Sequence, residues 1–267
     1  MRAALVQMTS TDDPAANLRL VEERVTAAAE RGATLVVLPE AVLRAFGGGS
    51  LAEVAEPLDG PWATAVTALA RRLGVTVVVG TFTPAAGEGD ARVRNTLLVT
   101  GPGGTTSYDK THLFDAFGYA ESDGVQPGSG VVVADVDGEP VGLATCYDVR
   151  FPALFTAAAD RGARLVVVCA SWGAGPGKVE QWELLVRARA LDSTSVVVAV
   201  GQADAGGPVG AAPTGVGHSL VVSPLGEVLH RLGAEEDTLV VDLDLDAVDD
   251  ARRVLPVLAN RRRDLGV

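Results

Sequence analysis

Ala27-Ala28-Ala29-Glu30-Arg31-Gly32-Ala33-Thr34-Leu35-Val36-Val37 and Ala157-Ala158-Ala159-Asp160-Arg161-Gly162-Ala163-Arg164-Leu165-Val166-Val167 are nearly the same string met twice, 130 residues apart. Each reads as the end of a helix, a glycine that stops it, and a β-branched strand with no polar alternation. Two helix–Gly–strand units suggest two similar αβ halves of one sandwich. The competing explanation is coincidence in an Ala/Val-rich chain, since propensity alone favours such strings. In the shared register Glu40 falls on Ala170, so the acid that ends the first strand is not demanded by the common unit.

Outward from these units, strand and helix signals alternate. Residues 3–7 read as a buried strand, and Asp13-Pro14 opens a helix whose core face is Leu18, Val21, Val25 and Ala28. The strand 35–38 runs into Pro39-Glu40, and a helix over 62–73 stops at Gly74 and feeds a strand over 75–79. Hairpins are expected where 96–100 and 105–109 flank Gly101-Pro102-Gly103-Gly104, and where 131–136 and 141–145 flank Asp137-Gly138-Glu139. The last third supplies a helix over 181–191, a strand over 195–200, a turn at Ser223-Pro224-Leu225-Gly226, a strand over 239–243 and a helix opened by Asp246. Gly/Pro-rich stretches at 84–89, 173–177 and 205–217 read as loops, so residues 1–267 are expected to form a single domain.

Totals narrow the function. The chain has 267 residues, enough for a large core without staples, and its net charge is −12, from 22 basic and 34 acidic residues. The one basic cluster, Arg261-Arg262-Arg263, is a poor footprint for nucleic acid, which is not expected as a partner. The N-terminus turns polar after six residues, too soon for a signal-peptide core, and no run reaches the roughly eighteen apolar residues of a membrane helix. A cytoplasmic location without membrane association is the expectation, and the two cysteines, Cys146 and Cys169, suit free thiols there.

Cys146 sits where the apolar strand Leu143-Ala144-Thr145 meets the polar turn Tyr147-Asp148-Val149-Arg150-Phe151-Pro152. A thiol at such a junction can be exposed on a sharp elbow, with the next backbone N–H aimed at a developing oxyanion. Cys169, inside Leu165-Val166-Val167-Val168, reads instead as a buried inert thiol. A nucleophilic thiol needs a proton acceptor. His230 reads as surface, whereas His112, His218, Lys110 and Glu40 all remain candidates, each weak by itself. No His/Cys spacing suggests a metal, and no glycine loop precedes a Lys-Ser or Lys-Thr pair.

Taken together, Leu38-Pro39-Glu40, then Asp109-Lys110-Thr111-His112-Leu113, then Cys146-Tyr147-Asp148-Val149-Arg150-Phe151-Pro152 resemble, in order and spacing, the three signature blocks of the nitrilase (carbon–nitrogen hydrolase) superfamily. Gly118 to Ser122, Gln181-Trp182-Glu183, Gly217-His218-Ser219 and Arg262-Arg263-Asp264-Leu265 resemble its downstream segments. The branch it resembles most holds omega-amidases and deaminated-glutathione amidases. The resemblance implies an α/β fold, a four-layer α-β-β-α sandwich, commonly dimerised through helices. It implies a Glu-Lys-Cys triad at Glu40, Lys110 and Cys146, with Glu121 beside it, and chemistry that needs no cofactor. Tyr147 would lend its N–H to the oxyanion. Arg150 would either bind a substrate carboxylate or lock the elbow by pairing with Asp148 or another acid. The expected substrate is a small linear carboxamide, an omega-amide of a 2-oxo acid or a related peptide-like amide such as deaminated glutathione. An N-carbamoyl amino acid amidohydrolase, a nitrilase and a catalytically inactive scaffold are the alternatives.

Two segments depart from that branch. Gly173 to Gln181 lacks its short Gly-Pro-Ala-His stretch, and 203–217 is unusually rich in Gly, Ala and Pro. Both are expected to border the pocket, which leaves the substrate less constrained than the triad.

Overall fold

The computed structural model describes residues 1–87, 89–206 and 212–262. Residues 207–211 of the Gly/Ala/Pro-rich loop, and Arg263, Asp264 and Leu265 of the C-terminal resemblance, lie outside them. The first half runs β1 (Arg2–Gln7), α1 (Pro14–Glu30), β2 (Leu35–Val37), α2 (Pro61–Leu73), β3 (Thr76–Pro84), β4 (Val93–Gly101) and β5 (Gly104–Asp109). A small ladder, β6 (Asp115–Ala116) and β7 (Tyr119–Ala120), follows. The second half runs β8 (Val133–Val136), β9 (Glu139–Thr145), α3 (Pro152–Asp160), β10 (Leu165–Ala170), α4 (Lys178–Ser193), β11 (Val196–Gly201), β12 (Leu220–Val222) and β13 (Val228–Arg231). It closes with β14 (Asp237–Asp242), α5 (Asp246–Val254) and α6 (Val257–Asn260).

The strands form two six-stranded sheets, ordered β14-β1-β2-β3-β4-β5 and β13-β12-β11-β10-β9-β8. In each, three parallel strands (β1, β2, β3 and β9, β10, β11) are flanked by antiparallel ones. The two repeated strings deliver β2 and β10, the middle strand of each parallel set, an equivalence that similar composition alone does not require.

Both faces of these strands are covered, which is why they read as unbroken apolar runs. Leu5, Leu35, Val37, Val78 and Leu97 join the second sheet in the central core. Ala4, Val6, Val36, Val77 and Val79 pack instead under Val21 and Val25 of α1 and Val66 and Leu69 of α2. Helices α3 and α4 cover the other outer face through Leu154, Phe155, Trp182 and Val186. The result is the four-layer α-β-β-α sandwich. Burying each such Val or Leu contributes about 1.5–3 kcal/mol, so these layers set the frame within which polar groups must be accommodated.

Local signals mostly hold. Asp13 caps α1 by accepting from the Ala15 N–H at 2.8 Å. Asp137 and Gly138, at φ 54° and 83°, make the left-handed turn between β8 and β9. Three differences matter. The hairpin expected over 96–109 extends back to a β3–β4 ladder running from Val77↔Thr100 to Pro84↔Val93. The β6–β7 ladder was not legible, and turns through Phe117 and Gly118, both at positive φ. Helix α4 begins at Lys178 rather than near 181, because Gly177 at φ 70° turns the chain into it. Among the described residues no helix is long and apolar enough to cross a membrane.

Candidate active site

Three strand ends meet between the sheets. The chain leaving β2 crosses Gly80 of β3, where a Cβ would stand 2.6 Å from Glu40 Cα and Ala41 N. That bare backbone lets the Gly80 N–H reach Pro39 O at 3.0 Å and fixes Glu40. Lys110 follows β5 and is held at both backbone groups, its N–H to Asn95 O and its carbonyl from the Gly128 N–H, each at 2.8 Å. Cys146 follows β9 at φ 47° and begins a 3-10 turn, Cys146–Arg150. The elbow is therefore as expected, but its thiol is not exposed: the residue is 6% accessible, at the floor of a cleft.

Asp148 locks that elbow. Fully buried, it accepts from the Thr145 N–H at 2.9 Å, the Tyr108 hydroxyl at 2.7 Å and the His112 N–H at 3.0 Å. The His112 ring meets Asp148 through Nδ1 at 2.7 Å and stacks on Phe151 at 3.7 Å. His112 thus supports the turn, and neither it nor His218 lines the cleft. Arg150 does not pair with Asp148, contrary to one of the two expectations. Asp148 is already filled, and Arg150 reaches Gln181 Oε1 at 2.9 Å while lining the cleft.

At the cleft floor Lys110 Nζ donates to Glu40 Oε1 at 3.0 Å and to Glu121 at 3.0 and 2.8 Å. Asn95 Nδ2 donates to the same two carboxylates, at 2.7 Å to Glu40 and 3.0 Å to Glu121. The Ser171 N–H, at the end of β10, donates to Glu40 Oε2 at 2.7 Å. Glu121 also accepts from the Phe114 N–H at 2.7 Å. Cys146 Sγ lies 3.6 Å from Ser171 O, with Glu40 beside it. So the structure assembles Glu40, Lys110, Cys146 and Glu121, and adds two residues the sequence reading missed. Asn95 carried little signal, since it sits in the polar stretch Arg94-Asn95-Thr96, whereas Ser171 acts through its backbone and carried none.

Charge explains the electrostatics. Two carboxylates and one ammonium are buried together, an excess of one negative charge. Burial raises the Glu40 pKa and Glu121 pushes the same way, outweighing Lys110 and Asn95. Burial works against the Lys110 cation, yet Glu121 and Glu40 more than offset it and hold its pKa well above the usual value. The Cys146 thiol is pushed well up by burial and then by Glu40, with Lys110 opposing. Cys146 therefore rests as a neutral thiol beside a base, not as a free thiolate.

A narrow cleft opens above this floor. Tyr147 and Phe114 form one aromatic wall, their rings edge-on at 5.2 Å. The N–H groups of the first turn after Thr145, Tyr147 among them, have no intrahelical acceptor within reach. Arg150 and Lys178 line the rim, and Trp172 stands between the two cations.

Comparison with known proteins agrees with this frame. A model of the family described as carbon-nitrogen hydrolase matches residues 2–253. The chain belongs to that family, within the nitrilase superfamily, and is an enzyme acting on carbon–nitrogen bonds. It is similar to a hydrolase of Mycobacterium tuberculosis at 55% identity, over 98% of this chain and 95% of the relative. It is similar to the omega-amidase NIT2 of Danio rerio at 33% identity, over 99% and 95%. Among solved structures it is similar to a mutant amidase from Nesterenkonia sp. AN1 showing Michael addition of acrylamide at the active site cysteine. That match has a TM-score of 0.79 and 31% identity, over 96% of this chain and 98% of that one.

Proposed function

We propose that this enzyme hydrolyses small linear carboxamides through a thioester on Cys146, with an omega-amide of a 2-oxo acid as the favoured substrate class. The observation that carries the reading is the closed cluster at the cleft floor, where the Cys146 thiol has a buried carboxylate beside it and the buried Lys110 cation, bonded to that carboxylate, close enough to act on both. Glu40 takes the thiol proton as Sγ bonds to the carbonyl carbon, so no free thiolate is needed. Lys110 and the Tyr147 N–H stabilise the oxyanion, and Glu121 holds Lys110 in place. The C–N bond breaks as Glu40 passes its proton to the leaving nitrogen, and ammonia departs. Glu40 then deprotonates water, which attacks the thioester; the C–S bond breaks and the thiol recovers its proton. Counted together with the bound substrate, the net charge of the site is the same before and after each proton transfer.

The likeness to an omega-amidase and to an amidase with a modifiable active site cysteine supports the reading. Ammonia release from 2-oxoglutaramate, the omega-amide of 2-oxoglutarate, tests it, with glutaramate as the analogue lacking the 2-oxo group. Cys146→Ala is expected to abolish release, and turnover retained in that variant overturns the thioester route. Carbon dioxide appearing with ammonia from an N-carbamoyl amino acid, with 2-oxoglutaramate and glutaramate both untouched, overturns the substrate class.

A further inference from the structure

Two cations share the rim of the cleft, and among the described residues neither has a carboxylate partner. Arg150 has the neutral Gln181 amide at 2.9 Å, with its guanidinium carbon 5.1 Å from the Trp172 ring. Lys178 rests against aromatic faces: its Nζ lies 4.2 Å from the Phe117 ring centroid and 6.0 Å from that of Trp172. Phe117 is itself 80% exposed at φ 56°, an unusual place for a large apolar ring. Partial burial lowers the Lys178 pKa, and the Arg150 charge lowers it further, so the two cations feel one another. Like charges held together at a cavity mouth, in a chain of net charge −12, await an anion.

The backbone shows that Lys178 is placed there. The Trp172 indole N–H donates to Lys178 O at 2.9 Å, and Gly177 at φ 70° starts α4 early enough to bring residue 178 over the cleft. Electrostatics supplies the need. The floor holds Glu40, Glu121 and Lys110, an excess of one negative charge that opposes entry of an anionic acyl group. Two rim cations reverse that balance.

We propose that Lys178, with Arg150, forms a carboxylate clamp that selects amides whose acyl chain ends in a carboxylate, and that Phe117 and Trp172 store the Lys178 ammonium when the site is empty. The ammonium leaves one cation–π perch for a charge-assisted hydrogen bond roughly twice as strong as a neutral one. The clamp rests on the amidase reading above. It assigns specificity to the segment, Gly173 to Gln181, that departs from the branch pattern.

The test compares glutaramate with pentanamide, a neutral amide of equal chain length. In Lys178→Gln the ratio of kcat/KM for glutaramate to that for pentanamide is expected to fall at least tenfold, chiefly through KM, with Lys178→Arg restoring most of it. A ratio within twofold of the parent in Lys178→Gln overturns the clamp, as does an equal fall for both amides. A second arm needs no turnover: calorimetry of glutarate binding to Cys146→Ala, which should weaken at least tenfold in Cys146→Ala/Lys178→Gln. Glutarate binding that depends on Lys178, in an enzyme that releases ammonia from no amide, upholds the clamp and overturns the amidase reading. Turnover and glutarate binding both indifferent to Lys178 do the reverse.

Discussion

Cys146 holds a side chain with a Cβ in left-handed backbone, φ 47°, which disfavours any L residue by about 1–2 kcal/mol. The strain aims Sγ at Glu40 and frees the following N–H groups, and the filled Asp148 behind it keeps the turn from relaxing. Glycine adopts that φ without penalty but loses more unfolded-state entropy, about 0.5–1 kcal/mol. Cys146→Gly is therefore expected to be more stable than Cys146→Ala by a few tenths to about 1 kcal/mol, both inactive, as urea unfolding would show. Equal stability would mean that the elbow stores no strain. The sequence exposed Cys146 as the odd thiol because Tyr147 and Asp148 interrupt an apolar strand. It could not show that the thiol lies buried, since the cleft wall comes from Trp172 and Phe114, residues distant in the chain.

At the scale of elements, each chemical group is a strand-end feature, and glycine decides how closely strand ends approach. Gly80 of β3 lies under Glu40 with no room for a Cβ. Gly80→Ala is expected to lose about 1–3 kcal/mol of stability from overpacking and to lower kcat more than KM, because it displaces the base and not the rim. Gly103, in the β4–β5 turn, has nothing within 4 Å of its would-be Cβ. Gly103→Ala should stay within about 0.5 kcal/mol of the parent. Comparable losses in the two variants, read by thermal unfolding and steady-state kinetics, would refute the close-approach account. Strand 35–38 and the helix before it were legible from apolar period and Gly32. The early start of α4 was not, because Gly177 supplies it through a positive φ that Ala174-Gly175-Pro176-Gly177 offers at several points.

Across the whole molecule the buried cluster ties the sheets together: Glu40 belongs to the first, and Ser171, whose N–H it accepts, follows the central strand of the second. Because burial raises the Glu40 pKa above its unfolded value, the folded chain binds that proton more readily. Its contribution favours the fold below the usual carboxylate range and is lost as pH rises through the raised value. Glu40→Gln removes the excess negative charge and should be inactive yet no less stable than the parent at about pH 8, with a flatter stability–pH curve. Lys110→Met leaves Glu40 and Glu121 facing each other without a cation. It should lose about 3–5 kcal/mol, more at about pH 8 than at about pH 5, where one carboxylate can hold a proton. Differential scanning calorimetry at both pH values would decide. A Lys110→Met protein as stable as the parent at the higher pH would contradict the charge count.

The chain's own order of residues determined the alternating elements, the repeated αβ unit, and Glu40, Lys110 and Cys146 as residues worth watching. Apolar period, glycine stops and strand-end polarity are local, and a linear string carries them. The tertiary structure alone decided that Asn95 bridges Glu40 and Glu121, that His112 serves Asp148, and that Arg150 and Lys178 face one cleft without an acid partner among the described residues. Each of these is a balance of charge and hydrogen bonds among groups brought together by sheet packing, and such a balance exists only once the partners are within reach.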